Sequence, residues 1–321
     1  MPPTLPDAPH FAWKTPLTNQ GLAGLAATSD VVVVADRDPA DLTDLFRCLD
    51  AATGRERWLV AYPAPGNLDY GNSARAAPQI VGDLVILHGA FGHLVCAKLS
   101  TGEVQWRRNL RSEFNVTEKL VWGHTASPLV VGDSLVVFPG GSLASVAVLN
   151  LRTGATVRRI AGGPPAFASP IEAALGGRRQ VVGYDQTTLG GWDLETGRRL
   201  WTLSPPRPDD FNVPTPIAVG GKLLVSTENN GTRLYDFDAE GRIVGQPIAV
   251  NEELAPDTHT PVVVGRRVFG IWSGLHCLDL DDGLKPVYRA DDGAFDEYAS
   301  LLASDDAPLA TTPRGQLLLV D

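Results

Sequence analysis

The chain has 321 residues, 44 % of them apolar and 20 % charged, with a formal net charge of −10. That length supports a large core without disulfides or metals, and the acidic balance argues against nucleic acid or an anionic membrane surface as partner, since counterion release needs a basic face. No run approaches the ~18 apolar residues of a membrane-spanning helix.

From the N-terminus, MPPTLPDAPHFAWK lacks a basic segment followed by an apolar core, so no secretory signal is expected in this chain. FAWKTPL (11–17) reads as a lone strand carrying Trp13. The first complete repeat ends in LDAATGRERW, residues 49–58. Nearly the same ten residues, WDLETGRRLW, return at 192–201. Partial copies are KLSTGEVQW ending at Trp106, NLRTGATVR ending at Arg158 and DLDDGLKPV ending at Val287. YDFDAEGRI, ending at Ile243, has its first Asp one residue out of step. Glycine and proline reach 33 and 25 residues, which suits a chain of tight turns.

A second signature precedes most copies: a small residue, Pro, an apolar run, a Gly turn, and another apolar run. It reads APQIVGDLVIL (77–87), SPLVVGDSLVVF (127–138), TPIAVGGKLLVS (215–226) and TPVVVGRRVFGI (260–271), with a degenerate form at 169–184. Pro78, Pro128, Pro170, Pro216 and Pro261 are 50, 42, 46 and 45 residues apart, one four-stranded unit per repeat. In each unit, strand a follows the Pro and a Gly hairpin leads to strand b. Strand c ends at the Asp of the motif, Thr-Gly turns the chain, and strand d carries the Trp. No segment sustains a 3.6-residue period, so almost no helix is expected.

Asp50, Thr53, Gly54 and Trp58, with Asp193, Thr196, Gly197 and Trp201 and the partial Thr101, Gly102 and Trp106, resemble the repeat of the quinoprotein-like, or PQQ-like, β-propeller family. The resemblance implies an all-β, seven-bladed propeller of four-stranded blades. The alternative is eight blades. One domain over 1–321 is expected, with blades ending near 58, 106, 158, 201, 243 and 287. A last blade at 298–321 would be completed 3+1 by strand 11–17, with Asp321 in the place of Asp50. The recurring Trp would wedge between neighbouring blades. Cys48, Cys96 and Cys277 each precede a Gly turn by six residues and read as one buried strand position filled three times.

If strand a is innermost, the segments leading into it ring a channel mouth. They carry Asn72, Arg75, His124, Phe167, Asn212, Asp257, His259 and Tyr298. The b–c turns add His88, His93, Asp185, Glu228, Asn229, Asn230 and Trp272. Asn72, Arg75, His124, Asn212, Glu228, Asn229, His259 and Trp272 are the ligand-binding candidates; His124, His259, Asp257 and Tyr298 are the catalytic ones. No metal site is expected, and DLDDG (279–283) does not fit a calcium loop.

Three functions remain open. A non-catalytic binding scaffold resembles the outer-membrane-assembly lipoprotein type, which implies a periplasmic or envelope location and protein partners. A lyase or hydrolase would act on a saccharide at the channel mouth. A PQQ-dependent oxidoreductase is the least supported, because no two cysteines are adjacent and no cofactor ligands map onto the chain.

Overall fold

A computed structural model describes residues 5, 10–296 and 298–320. Asp321, which the repeat places beside Asp50 in phase, lies outside the described residues. The fold is all-β: seven successive antiparallel sheets, six of four strands and the last of three, the blades of a β-propeller. The one helix among the described residues is a single turn, Leu110–Glu113, capped by Asn109 accepting from the Ser112 amide. None is long and apolar enough to cross a membrane.

The chain divides into two compact units, each described by itself. The first, His10–Pro165, holds three blades. Blade one is Ala26–Ala27, Val31–Arg37, Thr43–Asp50 and Glu56–Pro63; blade two is Gln79–Val81, Leu84–His88, His93–Lys98 and Val104–Asn109; blade three is Leu129–Val131, Ser134–Val137, Val146–Asn150 and Thr156–Ile160. The second unit, from Ala166 on, begins with blade four, Ile171–Leu175, Arg178–Tyr184, Leu189–Trp192 and Arg199–Leu203. Blade five is Ile217–Val219, Lys222–Thr227, Gly231–Tyr235 and Ala249–Asn251; blade six is Val262–Val264, Arg267–Ile271, Leu275–Asp279 and Lys285–Ala290; blade seven is Ser300–Ala303, Pro308–Thr311 and Leu317–Leu319.

The c–d turn follows from its residues. Asp50 Oδ1 accepts from the amides of Ala52 and Thr53 and from the Thr53 hydroxyl. The Gly54 amide closes back on the Asp50 carbonyl at 2.8 Å. Gly54 sits at φ +69, a conformation that costs glycine little and other residues more. Asn150 and Asp193 brace their turns in the same way.

The turn is also a seat. Trp58 Nε1 of blade one donates to the Leu99 carbonyl in the c–d turn of blade two, at 2.7 Å. Trp106 of blade two donates to Leu151 of blade three at 2.9 Å. Each indole covers the turn glycine: a Cβ on Gly102 would lie 2.9 Å from Trp58, and one on Gly154 2.7 Å from Trp106. Trp13 treats blade one identically, donating to Ala51 at 2.8 Å over Gly54. The segment 11–17 carries no strand assignment. It is a tether on blade one, fixed by Trp13, by Arg47 on the Pro16 carbonyl, and by the Thr18 and Asn19 amides on the Asp36 carboxylate.

Apolar cores fill the spaces between neighbouring sheets. Val33, Phe46 and Trp58 of blade one meet Val85, Leu87 and Val95 of blade two. Leu175, Val182 and Trp201 of blade four meet Leu223, Val225 and Tyr235 of blade five. First strands of neighbouring blades touch, Ala26–Ala27 with Gln79–Val81 and Ile171–Leu175 with Ile217–Val219, as the narrow ends of wedges do. Cys48 and Cys96 are buried and face Trp58 and Trp106 across strands c and d, and Cys277 faces Tyr288, one position used three times.

Blade five departs from the spacing. Its strand d is Ala249–Asn251, paired with Thr232–Leu234, instead of ending near Ile243. The out-of-step motif forms an extra turn, Asp238–Gly241, closed by a bridge between Phe237 and Ile243. Trp201 adapts. Its Nε1 donates to Gln180 Oε1 at 2.6 Å, Gln180 Nε2 donates to the Gly241 carbonyl at 2.9 Å, and the indole packs edge-on against Phe237.

Trp58→Ala is expected to cost about 3–5 kcal/mol, whereas Trp58→Phe keeps most of the wedge and loses about 1 kcal/mol with the hydrogen bond. Urea unfolding checks both; equal costs would show that burial plays no part.

Candidate functional site

In the first unit the b–c hairpin of blade one and the loop leading into strand a of blade two gather a buried polar cluster. Arg37, fully buried, donates Nη1 to Asp44 Oδ1 at 2.6 Å and to the Asn72 carbonyl, Nη2 to the Asp41 and Ala64 carbonyls, and Nε to Asp41 Oδ1. Asn72 braces the same loop, accepting from the Leu68 amide and donating to Asp41 Oδ2. Arg75 spends its guanidinium on the Ser73, Asp69 and Gly71 carbonyls. Both are loop staples here. Arg75, expected to grip a ligand carboxylate, holds backbone oxygens that the turn at Tyr70 and Gly71, both at positive φ, leaves open.

Asp44 Oδ2 and Tyr62 Oη press against Gly89, where a Cβ would meet either atom at 2.5 Å. Neither atom has a partner at hydrogen-bonding geometry, although the phenol is near enough to favour the ionised carboxylate. Burial pushes the Asp44 carboxyl up to about 6, against the pull of Arg37. His93 stacks tilted on Tyr62, ring centroids 4.8 Å apart. Sequence reasoning missed Arg37, Asp41, Asp44 and Tyr62. The signal of the first three was the charge-dense ADRDPADLTD at 35–44.

His88, at the end of strand b of blade two, and His124, on the loop into blade three, come together with ring centroids 5.6 Å apart. His88 Nδ1 lies 3.2 Å from the Ala126 carbonyl, which makes Nδ1 the protonated nitrogen, and Nε2 of both rings is buried without a partner. Burial holds His88 down at about 4 and His124 at about 3, with each ring's basic neighbours adding to the effect. Neutral and enclosed, His124 cannot serve as a general base near pH 7 without exposure.

The second unit has two groups. Around Asp210, the carboxylate accepts from the Asn229 amide and Asn230 Nδ2, Glu228 Oε1 accepts from the Phe211 amide, and Asn212 Nδ2 donates to the Gln186 carbonyl at 2.9 Å. Asn229 Nδ2 reaches the Pro208 carbonyl. Asp185 braces the turn to Thr188 and pairs with Arg199 at 2.9 Å. Phe167 is half-buried, and the amide of the next residue, Ala168, donates to the Asn212 carbonyl at 2.9 Å.

In the other group His259 and Tyr298 lie ring to ring at 5.6 Å. His259 Nε2 accepts from the Ala299 amide at 2.9 Å, so its lone pair is engaged, and burial lowers its pKa against the nearby Asp257 charge. Asp257 accepts from the Thr258 hydroxyl. Tyr298 is more than half exposed. Trp272 offers its carbonyl to His276 Nε2, a buried histidine that the sequence did not single out. Quinoprotein chemistry would need calcium ligands, but among the described residues no three His, Cys, Asp or Glu side chains converge as a metal donor set.

The buried histidines have a pH consequence. Their folded pKa values lie below the unfolded 6.5, so on acidification the unfolded chain takes protons that the folded chain refuses. Stability falls as pH drops from 6.5 towards 4, with Asp44 opposing over part of that window. His124→Phe is expected to flatten the slope of unfolding free energy against pH. An unchanged slope would show that His124 is already charged or exposed.

The comparisons agree with this architecture. A family model described as outer membrane protein assembly factor BamB matches residues 10–157 and 47–285. A curated protein of that description from Burkholderia pseudomallei (strain K96243) is 27 % identical over 255 residues, 74 % of this chain and 62 % of that protein. The chain therefore spans less than two thirds of that relative's length. Among solved structures, BamB from Moraxella catarrhalis superposes with a TM-score of 0.67 at 19 % identity, covering 93 % of this chain and 84 % of that one. A europium-containing methanol dehydrogenase gives 0.63 at 15 %, covering 90 % and 72 %. At such identities the likeness is one of fold. With the repeats, the seven sheets and the match over most of its length, the chain belongs to the PQQ-like-repeat β-propeller family described as outer membrane protein assembly factor BamB.

Proposed function

We propose that the chain is a non-catalytic protein-binding module of the cell envelope, acting in outer membrane protein assembly. The observation that carries this reading is the family match spanning 10–285. The site chemistry supports it. Asn72 and Arg75 turn polar atoms onto their own loop, Asn212 and Glu228 turn theirs onto the backbone of neighbouring loops, and His124 and His259 are buried or engaged. The loops also present apolar surface suited to a protein partner. Tyr70 is 71 % exposed and lies 6.5 Å from the Trp122 ring, on neighbouring loops leading into strands a. Aromatic anchors of this kind carry a large share of binding energy at protein interfaces.

A saccharide-directed enzyme would draw on His259, Asp257 and Tyr298. That reading gains support only if the Ala299 contact opens to free the imidazole.

Affinity isolation from a cross-linked outer-membrane fraction, with Tyr70→Ala alongside, tests the proposal. The unaltered chain is expected to recover outer-membrane assembly proteins, and Tyr70→Ala about tenfold less. Recovery no better than that of an unrelated propeller, or stoichiometric binding of PQQ with calcium in calorimetry, would sink the scaffold reading.

A further inference from the structure

The loop leading into strand a of blade three is held to blade two by contacts that meet at one pair of imidazoles. The His124 amide donates to the Ala90 carbonyl at 2.8 Å. Gly123 lies so close that a Cβ there would sit 2.4 Å from the same oxygen. His88 Nδ1 donates to the Ala126 carbonyl at 3.2 Å. Between these anchors the two rings lie 5.6 Å apart, both residues are at least nine-tenths buried, and Nε2 of each is enclosed without a partner. The same loop presents Trp122, whose ring lies 6.5 Å from that of Tyr70, and Val121, whose carbonyl accepts from the Asp69 amide at 3.0 Å.

We infer that this pair is an acid-sensitive latch: protonation of His88 and His124 releases the loop 116–128 from blade two and separates Trp122 from Tyr70. The enclosure suits two neutral rings. His88 already spends Nδ1 on Ala126, so an added proton goes to the enclosed Nε2 and becomes a donor that nothing answers. A proton on His124 then sets like charges side by side. Burying an unpaired charge costs far more than burying a neutral polar group. Of the two residues, His124 is the one able to leave, because it sits on a loop, whereas His88 is held in strand b.

The surroundings offer the added charge no relief. The other titratable groups that act on the pair are His93, in strand c of blade two, and Arg111, in the single helical turn, and both are basic. Glu113 of that turn pairs with Arg108, and Asp69, Glu118 and Lys119 on the adjoining loops are exposed. Burial holds both imidazoles well below 6.5 while the loop is closed, and release returns them towards it. Acid therefore favours the open loop as pH falls from 6.5 towards 4. Asp44, beside Gly89 on the other side of the b–c hairpin, has the opposite sign. Its carboxyl, raised to about 6, takes a proton more readily folded than unfolded, so acid does not loosen that side. The release follows from the loop's own contacts; its consequence, loss of the Tyr70–Trp122 surface in acid, rests on the protein-binding reading above.

Hydrogen exchange of the full chain, read by mass spectrometry between pH 7.5 and 4.5, tests the latch. After correction for intrinsic exchange rates, protection of peptides covering 66–72 and 118–126 is expected to fall at least about a hundredfold from pH 7.5 to 5. Strand Val146–Asn150 of blade three should keep its protection. The logarithm of the loop's opening constant should rise by about two between pH 6 and 5, and by about one in His124→Phe, where a single imidazole remains. His88→Phe carries the same comparison if that variant does not fold. Protection that is flat from pH 7.5 to 5, a loss shared equally by the blade strands, or the full slope retained in the variant would overturn the inference. No partner enters this readout, so it decides the latch even where affinity isolation recovers nothing.

Discussion

One interaction organises this protein: a tryptophan on the last strand of a blade seated on the glycine turn of the next. Trp58 on Gly102 and Trp106 on Gly154 join apolar burial to a hydrogen bond that satisfies a turn carbonyl. A single four-stranded sheet exposes both faces and cannot stand alone. The seat fixes spacing and rotation between neighbours together, because the indole must lie flat where a Cβ would otherwise be while its N–H finds one particular oxygen. The motif is therefore one physical unit. Asp or Asn and Thr shape the turn, Gly leaves room, and Trp arrives from the preceding blade.

Blade five shows how far the device stretches. Its motif is displaced, and Gln180 links the two blades by accepting from Trp201 and donating to Gly241. The relay preserves the wedge while strand d moves on to Ala249–Asn251. Burial and a satisfied indole are the requirement, and the identity of the acceptor is secondary.

The loops leading into the first strands obey a different constraint. They are long, turn sharply at residues such as Tyr70 and Asn212, and hold backbone amides and carbonyls that side chains reach. Arg37, Asn72, Arg75, Asp210 and Asn230 answer those groups. Such residues resemble an active site in composition because catalysis and loop bracing draw on the same polar side chains. What separates them is whether polar atoms remain unmet. Here the unmet ones include Asp44 Oδ2 and Tyr62 Oη, the Nε2 atoms of His88 and His124, Glu228 Oε2, Arg233 Nε and Tyr184 Oη.

The sequence by itself determined the repeat, the strand order within a blade, the turn chemistry and the place of the three cysteines. Each depends on residues a few positions apart, and a local pattern is visible in one dimension. Trp13 belongs with these: its kinship with Trp58 is legible, although the strand expected around it is a tether fixed by Asp36 and Arg47. The candidate site was legible only as a set of residue types on the right loops. That His88 lies against His124, that Arg75 holds carbonyls, that His259 accepts from Ala299 and that Arg233 Nε finds no acceptor were decided by tertiary structure. Those partners come from loops or blades tens of residues apart, and only the packing of sheet against sheet sets which of their polar atoms meet and which stay unanswered.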